Sequence, residues 1–131
     1  MNTLTAESLE TLRQRAQVLI IERMRQEEET GRHLALAIMI FKPWLPHDQV
    51  VMRVAATLQK WRREVSKIGF GTVVRTHTDK EAWELVWLYA DTIGCDPRTA
   101  AKALGFEWYG SGGILPRLSL DRIREIQLEL K

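Results

Sequence analysis

The 131-residue chain contains one cysteine, Cys95, so it can form no disulfide within itself and no multi-cysteine zinc site. Long apolar runs are also missing. The longest, Leu34 to Phe41, falls far short of the roughly 20 residues needed to span a bilayer. The opening MNTLTAESLETLRQR has no apolar signal core and does not read as a secretory leader. These shortages together lead to the expectation of a cytoplasmic protein that does not enter a membrane. Charge of one sign is scarce as well: the net charge is +2, which permits a nucleic-acid partner without requiring one. The three histidines, His33, His47 and His77, lie in different segments with no pair at metal-ligand spacing. No Gly-rich segment leads into a Lys-Ser/Thr phosphate loop. Neither a metal, nor a cofactor, nor an enzymatic activity is therefore expected. The residual enzyme reading pairs Cys95 with His77, but Cys95 stands where a small apolar turn residue is wanted.

What is present is a globular mixture, 45% hydrophobic and 27% charged, patterned mainly for helices. Leu9, Leu12, Ala16, Leu19, Ile20 and Met24 recur at three- and four-residue steps, predicting a helix from about Thr5 to Glu29, with Gly31 after its end. Leu34 to Phe41 is apolar without a period, so strand and helix both remain open. Its alanines and Met39 favour helix, and Pro43 and Pro46 must stop it. Val51, Val54, Leu58, Trp61 and Val65 mark the inner face of a helix from Asp48 to about Lys67. Thr72 to Thr76 has the β-branched content of a short strand.

The second half carries clear helix punctuation. Thr78 and Glu81 form a capping box ahead of Ala82, Leu85, Val86, Tyr89 and Ile93. Asp96-Pro97 starts a short helix that ends at Gly105. Phe106 to Arg117, with Gly110, Gly112, Gly113 and Pro116, reads as a loop or small hairpin. Ser119 then caps a last helix with Leu120, Ile123, Ile126 and Leu130 inside. The fold class expected is all-α or nearly so: a helical bundle with a helix-turn-helix lobe and a possible minor β-hairpin. The chain is treated as a single domain, 1–131. Residues 1–68 form an N-terminal helical part for dimerisation and phosphate contacts, and 72–131 a helix-turn-helix-like part.

Val86 to Gly105 presents Ala90, then Gly94 four residues later, Cys95 after it, and Ala100, Ala103 and Leu104 in the second helix. This segment resembles the helix-turn-helix of DNA-binding proteins, with Ala100 where valine or isoleucine is usual. The resemblance is local, residues 86–105, and no whole-chain family accompanies it. It implies a second helix, 97–104, that offers Arg98, Thr99 and Lys102 to duplex DNA, and a Gly-rich 109–115 region that forms a small wing. Charge is distributed unevenly around it. Thr72 to Lys131 holds eight Lys+Arg and nine Asp+Glu, a net of −1, whereas Lys42 to Lys67 holds six against two, a net of +4. Lys60, Arg63 and Lys67 on the latter segment are thus the candidate phosphate contacts, or simply a solvated helix face.

Two features point to a homodimer: the coiled-coil-like spacing of Leu9, Leu12, Ala16 and Leu19, and the pair Trp83 and Trp87 one turn apart. On a wheel the two tryptophans widen the apolar arc and leave Lys80, Glu84 and Asp91 as a narrow wet strip, which suits a central core helix equally well. The function expected is a DNA-binding transcriptional regulatory protein acting as a dimer on double-stranded DNA. The competing reading is a helical adaptor or inhibitor that binds another protein through its Trp-rich surface.

Overall fold

A computed structural model describes residues 6–67, 77–109 and 113–131, with side chains for all of these except 6–7, 61–67 and 77–78. The fold is all-α: α1 (Ala6–Phe41), α2 (His47–Lys67), α3 (His77–Ile93), α4 (Pro97–Leu104) and α5 (Leu120–Glu129). No strand occurs among the described residues. The strand expected at Thr72–Thr76 lies outside them.

The first correction concerns α1. Instead of stopping near Glu29, it runs 36 residues to Phe41, and so settles Leu34–Phe41 as helix. Gly31 does not end it, because its role is packing. A Cβ there would sit 3.0 Å from Leu118 Cδ2, and its φ is not positive. Glycine lets α1 approach Leu118 and tolerates the helical backbone at a propensity cost of about 1 kcal/mol. Termination comes at the prolines, where the Lys42 amide bonds the Ile38 carbonyl at 2.7 Å.

The chain packs as two units that interleave along the sequence, whereas the reading above divides it at 68–72. One unit comprises residues 1–23 and 75–116, the other 24–74 and 117–131. In the first, Leu12, Ala16 and Leu19 of α1 share a buried cluster with Ala82, Leu85, Val86 and Tyr89 of α3, and with Ala100, Ala101 and Leu104 of α4. Phe106, Ile114 and Leu115 complete it from the loop. Arg23, 7% exposed, lies 3.5 Å from Asp79 within this unit.

In the second unit Ala35 of α1, Val50, Val51, Val54 and Leu58 of α2, Leu118, and Ile123 and Ile126 of α5 form the cluster. The expected inner face of α2 is therefore buried as far as Leu58; Trp61 and Val65 lie outside the described side chains. On α5 the expected face holds for Ile123 and Ile126, but Leu120 is exposed and Gln127 is buried in its place. Arg122 ties α5 to α1. Its Nε donates to Glu28 Oε1 at 2.9 Å, and its Nη1 to Glu125 and Glu129 at 3.0 and 3.1 Å. Arg32 reaches Glu129 at 2.8 Å.

Candidate nucleic-acid interface

The α3–α4 corner is built from its glycine outward. Gly94 has φ +79°, and its amide bonds the Ala90 carbonyl at 2.8 Å, with the Cys95 amide sharing that acceptor at 3.1 Å. A Cβ at Gly94 would meet open space, so the residue is needed for its backbone angle alone. Ala90 and Ala100 are buried at 4% and 0% exposure, so small side chains occupy the corner's interior. α4 begins as expected. Asp96 is the N-cap and accepts from the Thr99 amide at 2.7 Å, and Pro97 occupies the first turn. Hydrogen bonds from the Thr99 side chain and then its amide hold the Asp96 carboxyl below its ordinary pKa. α4 ends in a Schellman closure at Gly105, φ +91°. The Phe106 amide bonds Ala101 at 2.9 Å and the Gly105 amide bonds Lys102 at 3.1 Å.

Arg98, Thr99 and Lys102 are all exposed on α4. Arg98 does not project freely. Its guanidinium carbon lies 5.3 Å from the Trp108 ring centroid, and Trp108 in turn meets Trp83 edge-to-face at 5.6 Å. A cation held over an aromatic face keeps its outer N–H groups available while losing side-chain freedom. The Thr99 hydroxyl is engaged with Asp96, so Thr99 belongs as much to the cap as to the surface. Trp108 stands on a loop closed by two backbone bonds, Glu107 N to Ile114 O at 3.0 Å and Tyr109 N to Gly113 O at 2.8 Å. The loop is thus hairpin-like without regular strand pairing among the described residues; its tip, 110–112, is outside them.

No protein-family model, curated protein or solved structure matches this chain.

Two groups near α4 escaped the sequence reading. Trp108 is one, because nothing in residue spacing announces a contact between positions 98 and 108. Arg13 of α1 was invisible for the same reason. It shares with Lys102 the walls of a shallow depression of about 390 Å³, along with Gln14, Gln17 and Gly105. Tyr89 Oη lies 3.2 Å from Arg13 Nη2 and accepts its hydrogen bond, while Glu10 lies 3.4 Å from Nη1. These partners, Tyr89 foremost, hold the Arg13 guanidinium firmly charged, with its pKa raised further.

The remaining expected site residues are distributed over both units. Lys60 is exposed on α2 and belongs to the second unit, while Arg63 and Lys67 fall on the same helix outside the described side chains. Leu12, Ala16 and Leu19, expected to face a second copy, are 4%, 0% and 4% exposed and are taken up by the chain's own packing, with Leu9 half-buried against them. The tryptophans separate: Trp83 packs against the core, whereas Trp87 is 54% exposed and joins Lys80, Glu84 and Asp91 in the wet strip, together with Leu88. Trp87 therefore does not belong to a core helix apolar over most of its circumference, because Ala82, Val86 and Tyr89 define a narrower inward arc; its exposure is what an interface residue requires. Cys95 is half-buried; His77 lies outside the described side chains. Among the described residues no cluster of three His, Cys, Asp or Glu side chains is arranged to hold a metal, and no helix is long and apolar enough to cross a membrane.

Proposed function

We propose that this chain is a cytoplasmic DNA-binding regulatory protein, acting as a homodimer and contacting duplex DNA through α4. The observation that carries the reading is the exposed face of α4, where Arg98, held over Trp108, stands beside Thr99 and Lys102. A planar guanidinium restrained at a helix start is suited to bidentate contact with guanine or with phosphate, and Lys102 to phosphate. Arg13 extends the cationic surface toward the depression it shares with Lys102. Lys60, Arg63 and Lys67 of α2 supply further phosphate contacts that carry no sequence information.

The test is a mobility-shift titration against pooled random duplex DNA at low and moderate salt. Arg98→Ala is expected to weaken binding by about 1–3 kcal/mol and to relax sequence preference. Lys102→Ala is expected to weaken all sequences alike and to flatten the salt dependence. Absence of binding at low salt removes the proposal. One observation favours a second reading, a protein-binding adaptor: Trp87 is exposed beside Leu88 on α3. In that case Trp87→Ala abolishes capture of the partner while Arg98→Ala is silent.

A further inference from the structure

The last turns of α1 are apolar around their whole circumference. Leu34, Ala35, Ile38 and Met39 face the core of the second unit. The remaining positions point outward and are no more polar: Leu36 is 42% exposed, Ile40 65% and Phe41 78%, with Ala37 also exposed. Trp44, just beyond the helix, is 72% exposed. A helix that is apolar on all sides is one that is covered on all sides, yet packing among the described residues covers only half of this one. We propose that the uncovered half, Leu36, Ile40, Phe41 and Trp44, is the surface through which two copies of this chain dimerise.

Area and charge both select a second copy as the occupant. Large aromatics carry about 150–250 Å² each, so Phe41 and Trp44 at these exposures offer on the order of 300 Å², and the four residues on the order of 500 Å². Two such patches placed face to face remove on the order of 1,000 Å² from water, which reaches the lower bound for a specific interface. An isologous dimer also needs a rim that complements itself. Lys42 is the one charged residue among the exposed positions from 36 to 44, and the nearest exposed charge after it in sequence is Asp48, of opposite sign. Such a rim pairs with its own copy across a two-fold axis. This surface gives the dimeric part of the proposed function a location, and it holds whether or not DNA is the target.

The test is sedimentation velocity of the full chain without DNA, from about 1 to about 100 µM. The wild type is expected to show a species of twice the 15.2 kDa chain mass. Phe41→Glu and Trp44→Glu should each raise the dimer dissociation constant at least about 30-fold, the size of an interface hot spot. Both are expected to keep wild-type helicity by circular dichroism, since neither side chain is in the core. Ile21→Glu, at a 66% exposed apolar position in the first unit, should leave the dimer intact. If Phe41→Glu loses helicity, Phe41→Ser and Ile40→Gln replace it. A wild type that is monomeric at the top concentration overturns the inference, as does a dimer equally tight in both glutamate variants. A monomer that co-sediments with anionic phosphatidylglycerol vesicles through Phe41 also overturns it and assigns the patch to lipid. A dimer without DNA affinity, by contrast, sinks only the DNA reading, and a DNA-binding monomer sinks only this one.

Discussion

The two packing units differ in how their surface arginines are engaged, although the buried Arg23 of the first unit also meets a carboxylate, Asp79. In the unit of residues 24–74 and 117–131, Arg122 and Arg32 are committed to carboxylates: Glu28, Glu125 and Glu129 for the first, Glu129 for the second. In the unit of residues 1–23 and 75–116, Arg98 lies over Trp108, and Arg13 lies 5.9 Å over the Tyr89 ring as well as near Glu10. A guanidinium bound by several carboxylates has its charge compensated, whereas one resting on a ring still presents charge outward. The contrast shows which guanidinium charges are more fully compensated by carboxylates of the same chain. Arg122 belongs to the stability of α5, and Arg98 and Arg13 belong to a surface.

The largest expected effect separates the units by their cores. Leu58 is 1% exposed in one cluster and Leu85 2% exposed in the other. Leu58→Ala should cost about 2–5 kcal/mol. Native-state hydrogen exchange is expected to show that loss in α2 and α5, with a smaller change in α3 and α4. Leu85→Ala should give the reverse pattern. Equal losses in all four helices from either substitution would show that the division by packing is not a division in stability.

A smaller effect sharpens the contrast at the α3–α4 corner. Gly94→Ala meets no steric neighbour, so its cost is the positive φ alone, about 1–2 kcal/mol by thermal or urea unfolding. The same substitution at Gly31 has the opposite logic. Its backbone is ordinary helix, so alanine gains propensity, and the outcome turns on whether Leu118 Cδ2 can yield from 3.0 Å. A Gly94→Ala protein as stable as the wild type would remove the backbone argument for that corner.

The two glycines also show what residue order reveals. Gly94, Asp96-Pro97, Gly105 and Ser119 were legible because caps and turns are local: each acts on amides within three or four positions of itself. The all-helical class followed from periodicity for the same reason. Gly31 was misread as a stop because its purpose, room for Leu118, lies 87 positions away in sequence. Distance also hid the Arg98–Trp108 contact and the shared depression of Arg13 and Lys102. Leu9 to Leu19 were correctly read as an apolar seam, but spacing cannot say whether the cover is α3 and α4 of the same chain or a second copy. Spacing likewise could not choose between a core and a surface place for Trp87, because an apolar residue at the border of a helical arc has no local signal that fixes its burial.

The smallest expected effect is the dependence on acid, and it distinguishes the two units by mechanism. Glu129 is held below its ordinary 4.5 by hydrogen bonds from Arg32 and then Arg122, and Asp96 below its ordinary 3.8 by Thr99. A carboxyl whose folded pKa is depressed binds fewer protons when folded than when unfolded. Its contribution is complete above the unfolded value and is lost as pH falls through the folded one. Protection of α5 should therefore begin to decline just below pH 4.5, and protection of α4 at lower pH, below 3.8. Salt separates the causes. The Glu129 contribution rests on ion pairs at the surface and should shrink at high ionic strength. That of Asp96 rests mainly on bonds from the neutral Thr99 and should persist. Glu129→Gln is expected to abolish the salt-sensitive step in α5 and leave the α4 step in place. A single acid transition, unmoved by salt and by Glu129→Gln, would mean that the carboxylates around Arg122 do not set the acid stability of α5.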